Sequence, residues 1–284
     1  MPRATQLTAP DANHGEGPVF AAALGGLRWV DMLAGDILHL DSATGSVTRW
    51  SVGSVAAAFR PRVGGGVVIA TEREFVLADV PDGPVRSLGE VFPGDAIRFN
   101  EGACDPAGNF LCGTMAYEQT PGAGTMYRLS PAGDAQTVFG DVTISNGLAW
   151  TADATRAFYV DTPTGRVDVF DSDTSGALAG RRPFVTIDPS VGSPDGLTVD
   201  AEGGIWVALW GGAAVHHYSA AGTLEDVIEL PVPKVTACTL GGDRLDQLFI
   251  TTSRDGENGE NPSAGAVFTF DAGVRGLPPA PFGG

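Results

Sequence analysis

The sequence predicts an all-β fold, a six-bladed β-propeller whose four-stranded blades surround a central channel. The chain has 284 residues with 40 Gly and 20 Pro, which indicates many short strands joined by tight turns. No apolar pattern of helical period extends over a convincing length. Strand starts of one type recur at intervals that are typical of propeller blades.

The recurring strand start is a short polar residue followed by glycine and an apolar run. Gly17, Gly102, Gly147 and Gly196 mark four such starts, and the last three are 45 and 49 residues apart. The first interval, of 85 residues, is long enough to contain one further unit. These spacings predict at least five units of similar length.

Two further blade-sized units are expected at places that lack the polar-Gly strand start. One enters near residues 55–59 and continues through 66–71, and the other enters near residues 235–239. Six units of about 40 to 50 residues then account for the chain, as in a propeller. A short Gly-containing hairpin turn also recurs in five places: residues 40–45, 129–133, 170–176, 218–222 and 270–273.

The chain is predicted to form a single propeller domain over residues 1–284, with blades from about 15 to 275. Closing the ring requires residues near 6–8 to add a strand to the last blade, beside residues 266–270. Residues 255–262 form a long polar loop inside that blade. The Gly/Pro-rich tail from about residue 276 is expected to be loosely held.

Charge and cysteine content limit the possible partners and compartment. The net charge of −17 disfavours nucleic acid and anionic membranes as partners, because both would repel this surface. Cys104, Cys112 and Cys238 lack CxxC spacing, so they are interpreted as buried free thiols in a reducing compartment. With no signal peptide or membrane-spanning run, we expect a cytoplasmic location.

Polar residues at the starts of the inner strands are the candidates for chemistry. Innermost strands of a propeller begin at the same face of the channel, so equivalent residues meet there. The equivalent residues are Glu16, Asn100, Asn146 and Asp195. Carboxylate and amide oxygens suit Ca²⁺, Mg²⁺ or Mn²⁺ better than a thiol-preferring metal. Asp and Asn before Gly are also good turn formers, and Asp31 and Asp161 are interpreted as turn residues only.

Four stretches resemble the signatures of the gluconolactonase and regucalcin family, six-bladed propellers also known as senescence marker proteins. The resemblance covers about residues 15 to 270. The stretches are Gly15–Val19, Arg98–Gly102 with Gly113–Ala116, Ser145–Leu148, and Pro194–Gly196 with Gly203–Ala208. The sequence departs from the family pattern at Glu101, where Asp is commoner, and at Tyr117, where many members have an acid.

The resemblance implies a site and a substrate class. It implies one divalent metal ion held by Glu16, Asn146 and Asp195, with Ca²⁺ the first choice and Mg²⁺, Mn²⁺, Zn²⁺ or Fe²⁺ as alternatives. Asp195 is also the implied general base. The implied contacts to the hydroxyls of a small sugar lactone are Arg98, Asn100 and Glu118.

These observations predict a metal-dependent hydrolase that opens a small sugar lactone by general-base activation of water. One alternative is a phosphotriesterase-like hydrolase that uses the same metal and carboxylate. Another is a non-catalytic propeller that binds Ca²⁺ or a partner protein, because propellers host many functions.

Overall fold

A computed structural model describes all 284 residues and confirms the six-bladed propeller. Twenty-four strands form six antiparallel sheets of four strands each, one sheet per blade. Blade 1 contains β2 Gly15–Ala21, β3 Gly26–Asp31, β4 Asp36–Leu40 and β5 Val47–Ser51. Blade 2 contains β6 Ala58–Pro61, β7 Val67–Ala70, β8 Glu74–Ala78 and β9 Val85–Glu90. Blade 3 contains β10 Ile97–Cys104, β11 Phe110–Ala116, β12 Gly124–Leu129 and β13 Ala135–Val142.

Blades 4 to 6 continue the same pattern around the ring. Blade 4 contains β14 Ser145–Trp150, β15 Arg156–Asp161, β16 Arg166–Ser172 and β17 Leu178–Thr186. Blade 5 contains β18 Ser193–Val199, β19 Ile205–Trp210, β20 Ala214–Tyr218 and β21 Leu224–Glu229. Blade 6 contains β22 Val235–Gly241, β23 Gln247–Thr252 and β24 Phe268–Asp271 together with β1 Thr5–Gln6. The helical elements are four 3₁₀ turns: Ala22–Leu24, Met32–Ala34, Thr162–Thr164 and Pro189–Val191. No helix is long and apolar enough to cross a membrane.

The ring closes between the first and the last strand of the chain, as the sequence predicts. Thr5 pairs with Thr269, and Gln6 pairs with Phe268, so β1 becomes the outermost strand of blade 6. The paired residues begin one position earlier than the predicted segment. Blade 6 is therefore built from both ends of the sequence.

The blades pack face to face through their second strands, which are apolar on both faces. Trp29 on β3, Tyr159 on β15 and Trp206 on β19 are all at most 1% exposed. Because each sheet lies between two neighbours, these strands read as nearly continuous apolar runs rather than as alternating ones. Outer strands such as β9 and β13 face solvent and are polar.

The expectation of a loosely held tail after Gly276 is wrong. The Phe282 ring is 1% exposed and joins the core of the first three blades. Its N–H donates to the carbonyl of Pro61 at 2.8 Å, and its own carbonyl accepts from the N–H of Val63 at 2.9 Å. Composition suggested a mobile segment, but one buried aromatic ring and backbone pairing hold the tail against blade 2.

Candidate active site

The inner strands of five blades are irregular at the same point. The pairing of inner and second strands shifts register between Glu16 and Val19 in blade 1, and at the corresponding places in blades 3 to 6: Phe99/Gly102, Ser145/Leu148, Pro194/Leu197 and Val235/Ala237. Such bulges bend a strand and re-aim its side chains. Four of the bulges contain or begin at the predicted polar residues: Glu16, Asn100, Asn146 and Asp195.

Glycines beside the polar residues allow the inner strands to approach one another closely. A Cβ on Gly147 would lie 3.0 Å from the carbonyl oxygen of Asp195, in the next blade. A Cβ on Gly196 would lie 2.4 Å from the Cβ of Ala237 in the blade after that. The polar-Gly motif therefore has a packing reason here, beyond turn formation.

The two asparagines form one hydrogen-bonded unit that orients their amides. Asn100 Nδ2 donates to Asn146 Oδ1 at 2.9 Å and to the carbonyl of Ser145 at 2.7 Å. Arg98 donates to Asn100 Oδ1 at 2.6 Å, and Asn146 Nδ2 donates to Thr162 Oγ1 at 2.7 Å. Asn146 Oδ1 keeps a second lone pair free, whereas the Asn100 oxygen is turned toward the arginine.

Glu16 and Asp195 are acidic side chains in an almost fully buried setting. They are 3% and 4% exposed. Burial raises the pKa of both carboxyls well above the ordinary range, and the nearby charges of Glu101 and Glu16 raise the pKa of Glu16 and Asp195, respectively. Asp195 Oδ1 is buried without any hydrogen-bond partner. A bound cation would offset both the repulsion and the missing partner.

These donors fit an oxygen-preferring divalent cation. Two carboxylates and one amide oxygen are hard ligands of the kind Ca²⁺, Mg²⁺ and Mn²⁺ take. No group of three or more His, Cys, Asp or Glu side chains is arranged to hold a metal, so a neutral oxygen ligand would have to complete the set. The residues that could hold the ion are therefore Glu16, Asn146 and Asp195.

The predicted substrate-contacting residues are only partly brought together. Arg98 is 6% exposed, lies beside Asn100, and has its Nε buried without a partner. Its guanidinium lies 5.8 Å from the ring of Tyr117, whose hydroxyl donates to Glu72 at 2.6 Å. Glu118 is exposed in the loop after β11 and makes no hydrogen bond to this cluster.

Two acids that the sequence indicated only as turn residues fix the backbone just before Glu16 and Asn146. Asp31 is buried, and its Oδ1 accepts from the backbone N–H of His14 at 2.9 Å, two residues before Glu16. Asp161 binds the N–H of Ile144 at 2.9 Å, two residues before Asn146. Both acids end the second strand of a blade and follow an aromatic residue and a valine. This repeated pattern is the sequence feature from which their common role could have been predicted.

Blade 6 contributes Thr236 at the equivalent bulge. Its side chain is fully buried, and its Oγ1 donates to the carbonyl of Gly15 at 2.6 Å. The hydroxyl therefore fixes the backbone immediately before Glu16. A threonine without a following glycine gave no signal in the sequence.

Comparison with known proteins identifies the family of this chain. A profile of the family described as SMP-30/Gluconolactonase/LRE-like region matches residues 14–254. The chain belongs to this family. Relatives include the regucalcins of Gallus gallus, 34% identical, and Homo sapiens, 32% identical, with 95% of this chain and 95% of each relative covered.

Solved structures of similar proteins share the whole propeller. A calcium-binding protein, regucalcin, from Agrobacterium tumefaciens is 27% identical with a TM-score of 0.91, covering 99% of this chain and 98% of that one. A luciferin-regenerating enzyme is also 27% identical with a TM-score of 0.89, covering 100% of both. A Xanthomonas campestris gluconolactonase, 22% identical with a TM-score of 0.75 over 93% and 87%, shows the shared fold alone.

Proposed function

We propose that this member of the SMP-30/Gluconolactonase/LRE-like family hydrolyses a small sugar lactone with the help of one divalent cation. The observation that carries the proposal is the pair of buried acids, Glu16 and Asp195, on bulged strands beside the oriented amide of Asn146. The description of the family names gluconolactonase, which supports the choice of lactones.

In this proposal Glu16, Asn146 and Asp195 hold the cation, with Ca²⁺ the first candidate. When bound, the cation supplies Lewis acidity toward an ester carbonyl. The Agrobacterium regucalcin is described as calcium-binding, which favours Ca²⁺ over the other divalent ions. Two acids would balance the charge of a divalent cation, and the neutral amide would leave it able to polarise a substrate carbonyl.

Asp195 is the proposed general base. It takes a proton from the water that attacks the carbonyl carbon, and the proton then passes to the ring oxygen as the carbon–oxygen bond breaks. The product is an open-chain hydroxy acid. In the metal-free protein, burial and the charge of Glu16 raise the pKa of Asp195. A bound cation would lower that pKa again and keep Asp195 in the carboxylate form that accepts a proton.

Arg98 and Asn100 are the proposed contacts to the substrate hydroxyls. The Arg98 Nε lacks a partner in the structure, and a sugar oxygen can accept from it once a substrate displaces nearby contacts. Glu118 is proposed as a rim contact, which requires its exposed loop to move toward the channel. Tyr117 and Glu72 form the polar edge beside it.

The test is a substrate screen on the purified protein with added Ca²⁺, Mg²⁺ or Mn²⁺ or with EDTA. Acid release from aldonolactones is followed with a pH indicator, alongside hydrolysis of organophosphate triesters. We expect lactone opening that EDTA abolishes and Ca²⁺ restores. Activity that survives the chelator, or activity toward triesters only, would contradict the proposal.

The same samples distinguish lactone hydrolysis from a calcium-binding role without catalysis. If Ca²⁺ raises the melting temperature but no lactone in a broad panel is opened, the binding role is the better account. Asp171→Asn serves as a control for Asp195→Asn, because Asp171 lies on the surface in a salt bridge to Arg182.

A further inference from the structure

We call the positions of Glu16, Asn100, Asn146, Asp195 and Thr236 on the inner strands the first ring. A second ring of side chains lines the channel three residues further along each inner strand. Its six members are Val19, Arg60, Ala103, Ala149, Thr198 and Thr239. All six border one cavity of about 350 Å³, and the tail segment 277–280 forms another part of its wall. The cavity therefore lies between the first ring and the docked tail.

Arg60 provides the single positive charge of this second ring and has almost no partners. Its only side-chain hydrogen bond runs from Nη1 to the carbonyl of Phe59 at 2.6 Å, and no carboxylate lies within ion-pair distance. By contrast, the buried Arg28 binds both oxygens of Asp82, at 2.8 and 2.7 Å. Arg60 is partly buried, and it borders the cavity. The nearby Glu101 acts on the charge of Arg60 without forming a direct ion pair, so the remaining N–H groups of the guanidinium have no protein partner.

Further polar groups around the cavity also lack partners. Glu101 is 7% exposed, makes no side-chain hydrogen bond, and occupies the position that glycine holds at Gly147 and Gly196 in the next blades. The hydroxyls of Thr198 and Thr239 make no hydrogen bond either, and both residues are only partly buried. The cavity thus offers one cation, two hydroxyls and one carboxylate.

We infer that this cavity binds a small carboxylate that also carries a hydroxyl group. The carboxylate pairs with the guanidinium fork of Arg60 and accepts from Thr198 and Thr239. The ligand's hydroxyl donates to the carboxylate of Glu101, which has no other donor. A hydroxycarboxylate satisfies all four groups. The inference does not rest on lactone hydrolysis.

The test is a titration of the full chain with glycolate in EDTA, so that no cation at the first ring can bind carboxylates. Calorimetry should give one site for glycolate, with acetate about tenfold weaker because it lacks the hydroxyl. Arg60→Met should weaken glycolate binding by about tenfold or more, while the exposed control Arg86→Met leaves it unchanged. Equal affinity in Arg60→Met, equal affinity for acetate, or saturable binding of phosphate alone would overturn the inference.

A second variant covers the case in which Arg60→Met does not fold. The double variant Thr198→Val and Thr239→Val keeps side-chain shape and the Arg60 charge, and should weaken glycolate binding by about threefold to tenfold. Crystals soaked in 3-bromolactate then locate the ligand through the anomalous signal of bromine. Density beside Arg60 supports the site, and density confined to the first ring overturns it.

Discussion

The side-chain nitrogen of Asn100 donates a hydrogen bond of 2.9 Å to the side-chain oxygen of Asn146. Arg98 in turn donates to the oxygen of Asn100 at 2.6 Å, so the Asn100 amide cannot turn over without losing both bonds. Blade 3 thereby fixes the direction of a candidate ligand in blade 4. Asn100 can therefore influence a cation that binds to Asn146.

Asn100→Ala should weaken Ca²⁺ binding by about tenfold, since Asn146 would lose the donor that orients its amide. Isothermal titration of the metal-free protein measures this. Asn258→Ala is the matched control because Asn258 is an exposed amide in the loop of blade 6. An unchanged Ca²⁺ affinity in Asn100→Ala would show that Asn146 does not need this support.

Asp195→Asn should reduce lactone turnover by about 10³-fold or more, because an amide cannot accept the proton from water. The fold should persist, since the substitution keeps the size of a buried side chain. Circular dichroism and the melting temperature check the fold, and Asp171→Asn checks for an effect of surface charge. Full activity in Asp195→Asn would remove Asp195 from the mechanism.

The stability of the metal-free protein should fall as the pH rises. Burial raises the pKa of Glu16 and Asp195 well above ordinary values, and that of Glu101 to about 7. In the window between the unfolded-state and folded-state pKa values, the folded protein keeps protons that the unfolded chain releases. This stabilisation is present at low pH and is lost as the pH passes the folded-state pKa.

Calorimetry in EDTA should therefore show a lower melting temperature at about pH 7.5 than at about pH 5. Saturating Ca²⁺ should stabilise the protein more at the higher pH, because fewer protons compete for Glu16 and Asp195. In the Glu16→Gln, Asp195→Asn double variant, the stabilisation by Ca²⁺ should differ much less between the two pH values. A Ca²⁺ effect independent of pH would count against these two acids as ligands.

Gly196→Ala should destabilise the protein by about 1 to 3 kcal/mol, because the added methyl group would meet Ala237 and Thr236 of blade 6. Urea unfolding measures the change. Gly140→Ala is the control, since a Cβ at Gly140 meets nothing within 4 Å. Similar stability losses in both variants would mean that close approach at the channel is not the cause.

Sequence spacing was enough to predict the blades and the equivalent positions on their inner strands. It worked because a propeller repeats one supersecondary unit, and each unit leaves its own turn and strand pattern. The bulges at these positions were not predictable, because they depend on how an inner strand pairs with its neighbour. The roles of Asp31 and Asp161 were missed for the same reason: their partners lie 17 residues earlier in the chain.

The tail and Glu101 illustrate the limit of composition. Gly and Pro around Phe282 suggested mobility, but the ring has a buried position against blades that precede it by many residues. Glu101 appeared only as a departure from the family pattern. Its burial follows from the bulge between Phe99 and Gly102, which no local sequence rule reveals.

The pairing of β1 with β24 also constrains how the protein can be made. Thr5 and Gln6 are translated long before their partners Thr269 and Phe268. Blades 1 to 5 can form while synthesis proceeds, but the sixth sheet must wait until β24 has been translated. Ring closure is thus a late folding step, because it joins strands that lie far apart in the sequence. Until it occurs, one edge of β24 stays open to pairing with other chains.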